Sequence, residues 1–130
     1  CAGTSVFADT ASAELPVVFM EGQETFKFAV NALCGHIRSM CEKTGISVEE
    51  ITHIVPHQAN IRIISMAARK LGLPMDRFTV NIETTGNTAA ASVPIALDEA
   101  NRAGKLNRGS LVALTAFGGG LSSAGCIIRW

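Results

Sequence analysis

Two residues in this chain have the type and the spacing to hold a negatively charged oxygen. One is His57, which ends the run Ile54-Val55-Pro56-His57; the other is Asn87, in the turn Gly86-Asn87-Thr88. They lie thirty positions apart, which leaves room for one helix and one strand between them. Each can donate a hydrogen bond while neutral, and a site that stabilises a developing enolate or oxyanion needs a pair of such donors. Each also has an ordinary reading. A histidine behind a strand can be a hydrogen-bonded loop residue, and an asparagine after glycine commonly serves a turn or a helix cap.

The elements around the pair favour a site. Pro56 restricts the backbone before His57, and open α/β sheets build ligand sites at the carboxyl ends of their strands. Residues 1–16 read as an irregular leader, and residues 17–20 (Val-Val-Phe-Met) as a short buried strand. Phe26, Ala29, Val30, Leu33, Ile37, Met40 and Cys41 then recur at helical spacing, with Gly45 as a stop. Ser47-Val48-Glu49-Glu50 is a capping-box pattern that starts a short helical turn. Residues 51–55 form the next strand, 60–71 a helix closed by Gly72 and Pro74, and 78–82 a strand. An alanine-rich helix follows over 88–103; because of Pro94 it either becomes regular only near Ser92 or kinks there. Its alanines suit a helix buried between two layers. Two strands, 111–117 and 121–130, are joined by Gly118-Gly119-Gly120.

The order is β-α-β-α-β-α-β-β. Such alternation predicts an α/β fold, with a five-stranded mixed sheet, helices on both faces and a single domain over residues 1–130. At 48% hydrophobic residues the chain is rich for its size, which suggests surface buried against something else. Eleven basic residues balance eleven acidic ones, so no global field attracts nucleic acid or an acidic membrane. Tyr is absent, which argues against base stacking. No apolar run approaches the ~20 residues of a membrane span. No signal peptide is visible and the chain opens without Met, so it reads as a fragment of something longer or a processed product. Of the four cysteines, Cys1, Cys34, Cys41 and Cys126, no two form a C-x-x-C pair. Cys34 and Cys41 share a helix face about 10 Å apart, beyond disulfide reach. They read as small buried hydrophobes in a reducing, cytoplasmic compartment.

Three further patterns are open to more than one reading. His53 and His57 are four apart, but Ile, Val and Pro lie between them in a strand-like run and no acid is suitably spaced, so no metal site is expected. The triple glycine joins two strands rather than a strand and a helix. That excludes a dinucleotide fingerprint and leaves either a tight hairpin or a turn whose amides approach a ligand. The helix from Asn60 carries Arg62, Arg69 and Lys70 and no acid. It is either an ordinary solvated face or a local dock for phosphate or an acidic partner helix.

From about Phe19 onward the chain resembles the carboxyl-terminal half of β-ketoacyl-[acyl carrier protein] synthase III, a condensing enzyme of the thiolase fold. The motifs that carry the likeness are Gly22-x-Glu24-x-Phe26-Lys27, Pro56-His57-Gln58-Ala59-Asn60-x-Arg62, Gly86-Asn87-Thr88-x-Ala90-Ala91-Ser92-x-Pro94 and Phe117-Gly118-Gly119-Gly120. The resemblance implies a half that packs with an N-terminal half, then dimerises. It also implies a Cys-His-Asn triad, with His57 and Asn87 matching the last two; none of the four cysteines matches the nucleophile, which belongs to the other half. The cysteine would take an acyl group from acyl-CoA, and malonyl-[acyl carrier protein] would lose CO2 to give an enolate held by His57 and Asn87. Gly119 would lend its amide to a second oxyanion hole. Gln58, Ala59, Asn60, Ile61 and Arg62 would form the stretch that binds the acyl carrier protein, and Gly22, Phe26 and Asn60 would line the CoA and pantetheine path. No cofactor beyond these thioester substrates is implied. Departures occur at Ser122-Ser123-Ala124, Ala89 and Thr85. They keep open another thiolase-fold acyltransferase, of polyketide starter or alkylquinolone type. The absent cysteine keeps open a carrier-protein-binding module without catalysis.

Overall fold

A computed structural model describes residues 21–130. The expected strand at 17–20, the leader and Cys1 lie outside the described residues. Helix α1 (Gly22–Thr44) ends at Gly45 as expected, and it buries Ala29, Val30, Leu33, Cys34, Ile37 and Cys41 along one stripe. The capping box is formed: the Ser47 N–H donates to Glu50 Oε2 at 2.7 Å, over a single 3₁₀ turn at Val48–Glu50. Strand β1 (His53–Pro56) is buried at every residue. Helix α2 (Ile61–Leu71) begins at Asn60, whose Oδ1 accepts the Arg62 N–H at 2.9 Å. A short helix α3 (Ile82–Thr85) precedes α4 (Ser92–Arg102). Pro94 falls in the first turn of α4, where its missing N–H breaks no helical bond, so the helix starts at Ser92 instead of kinking. Strands β2 (Leu111–Gly118) and β3 (Ser122–Arg129) complete the chain.

The sheet is mixed. β1 runs parallel to β2, with His53 opposite Val112 and Pro56 opposite Thr115, and β2 pairs antiparallel with β3 from Leu111–Arg129 to Gly118–Ser122. Alternation sorts the side chains to two faces. Ile54, Ala113 and Ile127 face α1 and α2, where Ile37 and Ile64 are fully buried. Val55, Val112 and Leu114 face α4, through Ala96 and Ala100. Full burial of each large aliphatic side chain is worth about 1.5–3 kcal/mol. Gly125 lets α1 lie against β3: a Cβ there would meet His36 Cβ at 3.1 Å and the Leu114 carbonyl oxygen at 3.2 Å.

The described residues form three strands, not the five expected. Residues 78–82 have the β-branched composition of a strand but make a single bridge, Phe78 to Ile54, with the Thr79 N–H donating to Ile54 O at 2.9 Å. Beyond it a side chain takes over the ladder. Gln58 Nε2 donates to Pro56 O (2.9 Å) and Thr79 O (3.0 Å), and Gln58 Oε1 accepts the Asn81 N–H (3.1 Å). With its backbone groups satisfied in this way, the chain turns at Asn81 and enters α3. Two smaller expectations also change. Ala96 and Ala100 are buried, but Ala89, Ala90 and Ala91 are exposed. Cys34 and Cys41 are buried free thiols, whereas Cys126 is exposed on β3. Among the described residues no helix is long and apolar enough to cross a membrane.

Candidate active site

The parallel pair β1 and β2 delivers two loops to one end of the sheet. His57 follows β1 directly, and its N–H donates to Thr115 O at 2.8 Å, extending the ladder by one residue. The imidazole is half-buried and stands edge-on to Phe117 of β2, with ring centroids 5.0 Å apart at 74°. Its Nδ1 is hydrogen-bonded to Ser92 Oγ at the start of α4. Burial pushes the His57 imidazole below its ordinary value, because the charged form loses hydration. This favours the neutral ring, and the Ser92 contact leaves Nε2 as the nitrogen open to a ligand.

Asn87 is placed by its own turn. Its Oδ1 accepts the Ala89 N–H at 3.0 Å, an Asx turn that commits the acceptor end of the amide and leaves the NH2 without a partner among the described residues. Ala89 adopts φ +50°, a left-handed conformation that costs a non-glycine residue about 1 kcal/mol. His57, Asn87 and Gly119 open onto one cavity of about 560 Å³. Most of its remaining wall is small: Ala89, Ala90, Ala116, Ser122, Ser123 and Ala124. The triple glycine makes the β2–β3 hairpin, and Gly118 and Gly119 also line this cavity. Gly120 has φ +137°, and a Cβ there would lie 2.6 Å from Ser122 Oγ.

The other expected site residues are spread more widely. Gln58 is fully buried and its amide is spent on Pro56, Thr79 and Asn81. Its side chain braces the backbone behind His57 and does not reach the surface. Ala59 is half-buried against the core, Asn60 caps α2, Ile61 is half-buried and Arg62 is exposed on the first turn. Gly22 is the exposed first residue of α1 and Phe26 packs against the α1–α2 core; neither they nor Asn60 line the His57 cavity. Lys70 is tied to α1, donating to Asn31 Oδ1 at 2.8 Å, while Arg62 and Arg69 are exposed. His53 points elsewhere than His57: it is 4% exposed and bonded through Nε2 to Thr79 Oγ1 at 2.7 Å. Ser92 and the brace formed by Gln58 escaped the sequence reading. Pro94 was the available signal for Ser92, because it fixes the helix start and so brings that hydroxyl to the strand end.

The family model for the C-terminal part of 3-oxoacyl-[acyl-carrier-protein] synthase III matches residues 41–130. The chain belongs to this family. The β-ketoacyl-[acyl-carrier-protein] synthase III of Clostridium acetobutylicum is 43% identical over all of this chain, which spans 41% of that protein. The crystal structure of the synthase III of Aquifex aeolicus superposes with a TM-score of 0.85 at 45% identity, over 88% of this chain and 37% of the other. A priming β-ketosynthase from the R1128 polyketide pathway superposes with a TM-score of 0.77 at 38% identity, over 85% of this chain and 34% of the other. The fold is thus the α/β thiolase type of the synthase III enzymes, and the chain spans well under half the length of the relatives it matches.

Proposed function

We propose that this chain is the C-terminal domain, residues 1–130, of a condensing enzyme that joins an acyl-CoA, acetyl-CoA in the first instance, to malonyl-[acyl carrier protein] and so initiates fatty acid synthesis. One observation carries the reading. His57 and Asn87 line a single cavity, with His57 Nδ1 and Asn87 Oδ1 already engaged by the protein. Donors fixed before the reaction cost no reorganisation when charge appears on a thioester oxygen.

In this mechanism an N-terminal half supplies a cysteine thiolate that carries the acyl group. The malonyl C–C bond breaks, CO2 leaves, and the electron pair moves onto the thioester oxygen between His57 and Asn87. The resulting carbanion attacks the acyl thioester carbon, and the tetrahedral intermediate, with its oxyanion near the Gly119 amide, expels the thiolate. Neutral His57 suits the enolate step, since burial keeps it uncharged. The exposed Arg62, on a helix with no acid in its first turn, is the contact for an acidic carrier helix. Gly22, Phe26 and Asn60 border the pantetheine path. The buried free thiols of Cys34 and Cys41 fit a cytoplasmic enzyme, and we infer a homodimer. A second reading, a polyketide-type priming synthase, is favoured by the similarity to the R1128 enzyme and by the small wall at Ser122-Ser123-Ala124.

In the full-length protein, His57→Ala is expected to slow malonyl decarboxylation on the order of 100- to 1000-fold while leaving acylation of the cysteine intact. Decarboxylation at the wild-type rate would overturn the assignment. Arg62→Glu is expected to lower kcat/KM for the carrier-bound malonyl substrate several-fold more than for malonyl-CoA. Equal loss on both substrates would remove the docking role.

A further inference from the structure

The enolate reading, on which this inference rests, requires a proton on the nitrogen of His57 that faces the cavity. A neutral imidazole carries a single N–H, so its tautomer decides whether His57 is a donor there or an acceptor. Ser92 is positioned to make that choice. Its side chain is 2% exposed, it begins α4, and its Oγ bonds His57 Nδ1. The same oxygen lies 3.4 Å from the Gln58 backbone nitrogen, a group that can only donate. Ser92 Oγ thus accepts from Gln58 and keeps one hydroxyl proton to give. Among the described hydrogen bonds, the only acceptor within its reach is His57 Nδ1. The reverse arrangement, with the proton on Nδ1, would leave a buried hydroxyl proton unpaired, which is unfavourable.

We propose that Ser92 is a positioning residue whose hydroxyl donates to Nδ1 and so holds the proton of His57 on Nε2, facing the thioester oxygen. Both ends of the contact are anchored. Gln58 is pinned by its side-chain bonds to Pro56, Thr79 and Asn81, and α4 is tied to the same segment by Asn81 Nδ2 donating to Glu99 Oε2 at 2.8 Å. The hydroxyl is therefore held against the ring by two elements that meet at Asn81, and the donor of the reaction is set before substrate arrives.

The test uses the full-length protein labelled with ¹⁵N-histidine. The ring-nitrogen shifts of His57 are expected to show a bare Nδ1 and a protonated Nε2 at mildly alkaline pH. A protonated Nδ1 in the wild-type protein overturns the proposal, whatever any variant does. Ser92→Ala is expected to mix the two tautomers and to slow malonyl decarboxylation roughly 10- to 100-fold, with cysteine acylation unchanged. Ser92→Thr, which keeps the hydroxyl, restores the tautomer and most of the rate. If Ser92→Ala decarboxylates at the wild-type rate while His57→Ala does not, the role of Ser92 falls and the enolate reading stands. If His57→Ala also keeps its rate, both fall.

Discussion

β1 begins with one histidine and is followed directly by another, and the two ends of this strand do different work. At the first end, His53 is sealed at 4% exposure and joined to Thr79, a neighbour inside the packed layer. At the other end, His57 is joined to Ser92 and opens onto the cavity that Asn87 and Gly119 share. Burial lowers the pKa of both imidazoles, with Lys105 adding to the effect at His53 and Asp76 opposing it. A neutral, hydrogen-bonded histidine is therefore common to both ends and identifies neither as a site. What separates them is access, together with a second donor arriving from another loop.

The largest expected effect tests that second donor. Asn87→Asp removes the NH2 and sets a carboxylate beside the developing negative oxygen. In the full-length protein it is expected to cut malonyl decarboxylation about 1000-fold or more, with the acylated cysteine still forming. A rate within about tenfold of wild type would show that Asn87 faces away from the reacting oxygen, and the contrast between the two ends of β1 would rest on His57 alone. His53→Ala should behave in the opposite way. It leaves the Thr79 hydroxyl unpaired and a void beside β1, so a loss of about 2–4 kcal/mol in chemical denaturation is expected, with the rate per folded molecule unchanged. A fall in kcat without a fall in stability would reverse the roles assigned here.

The smallest effect is in pH. Both histidines have folded-state pKa values below the ordinary 6.5. The unfolded chain therefore takes up protons first as pH falls, and the stabilising contribution is full above about 6.5 and is lost progressively below it, down through the folded-state values. Denaturation midpoints measured at successive pH values should fall less steeply on the acid side in His53→Ala than in wild type. Equal slopes would mean that His53 does not titrate differently in the two states.

Much of this architecture is written locally. The spacing from Phe26 to Cys41, the cap at Asn60 and the glycine stops mark the helices because each signal acts within a turn of its own position. The pair of His57 and Asn87 was legible for the same reason, each residue sitting at a punctuated element boundary. The segment 78–82 was misread because its composition is that of a strand, while its ladder is completed by a glutamine twenty residues earlier. No local window contains both. Ser92 was missed on similar grounds: in sequence it is one more small residue in an alanine-rich stretch, and its partner is thirty-five positions away on β1's far end.

The register of β1 on β2 has a consequence for how the protein is made. The hairpin of β2 and β3 can close as soon as it is synthesised, but β1 must wait for a strand that begins at residue 111. During synthesis α1, β1 and α2 leave the ribosome with the β2-facing edge of β1 still bare, a row of unpaired N–H and C=O groups able to pair with a neighbouring nascent chain. The lips of the future cavity first meet when the final strands arrive.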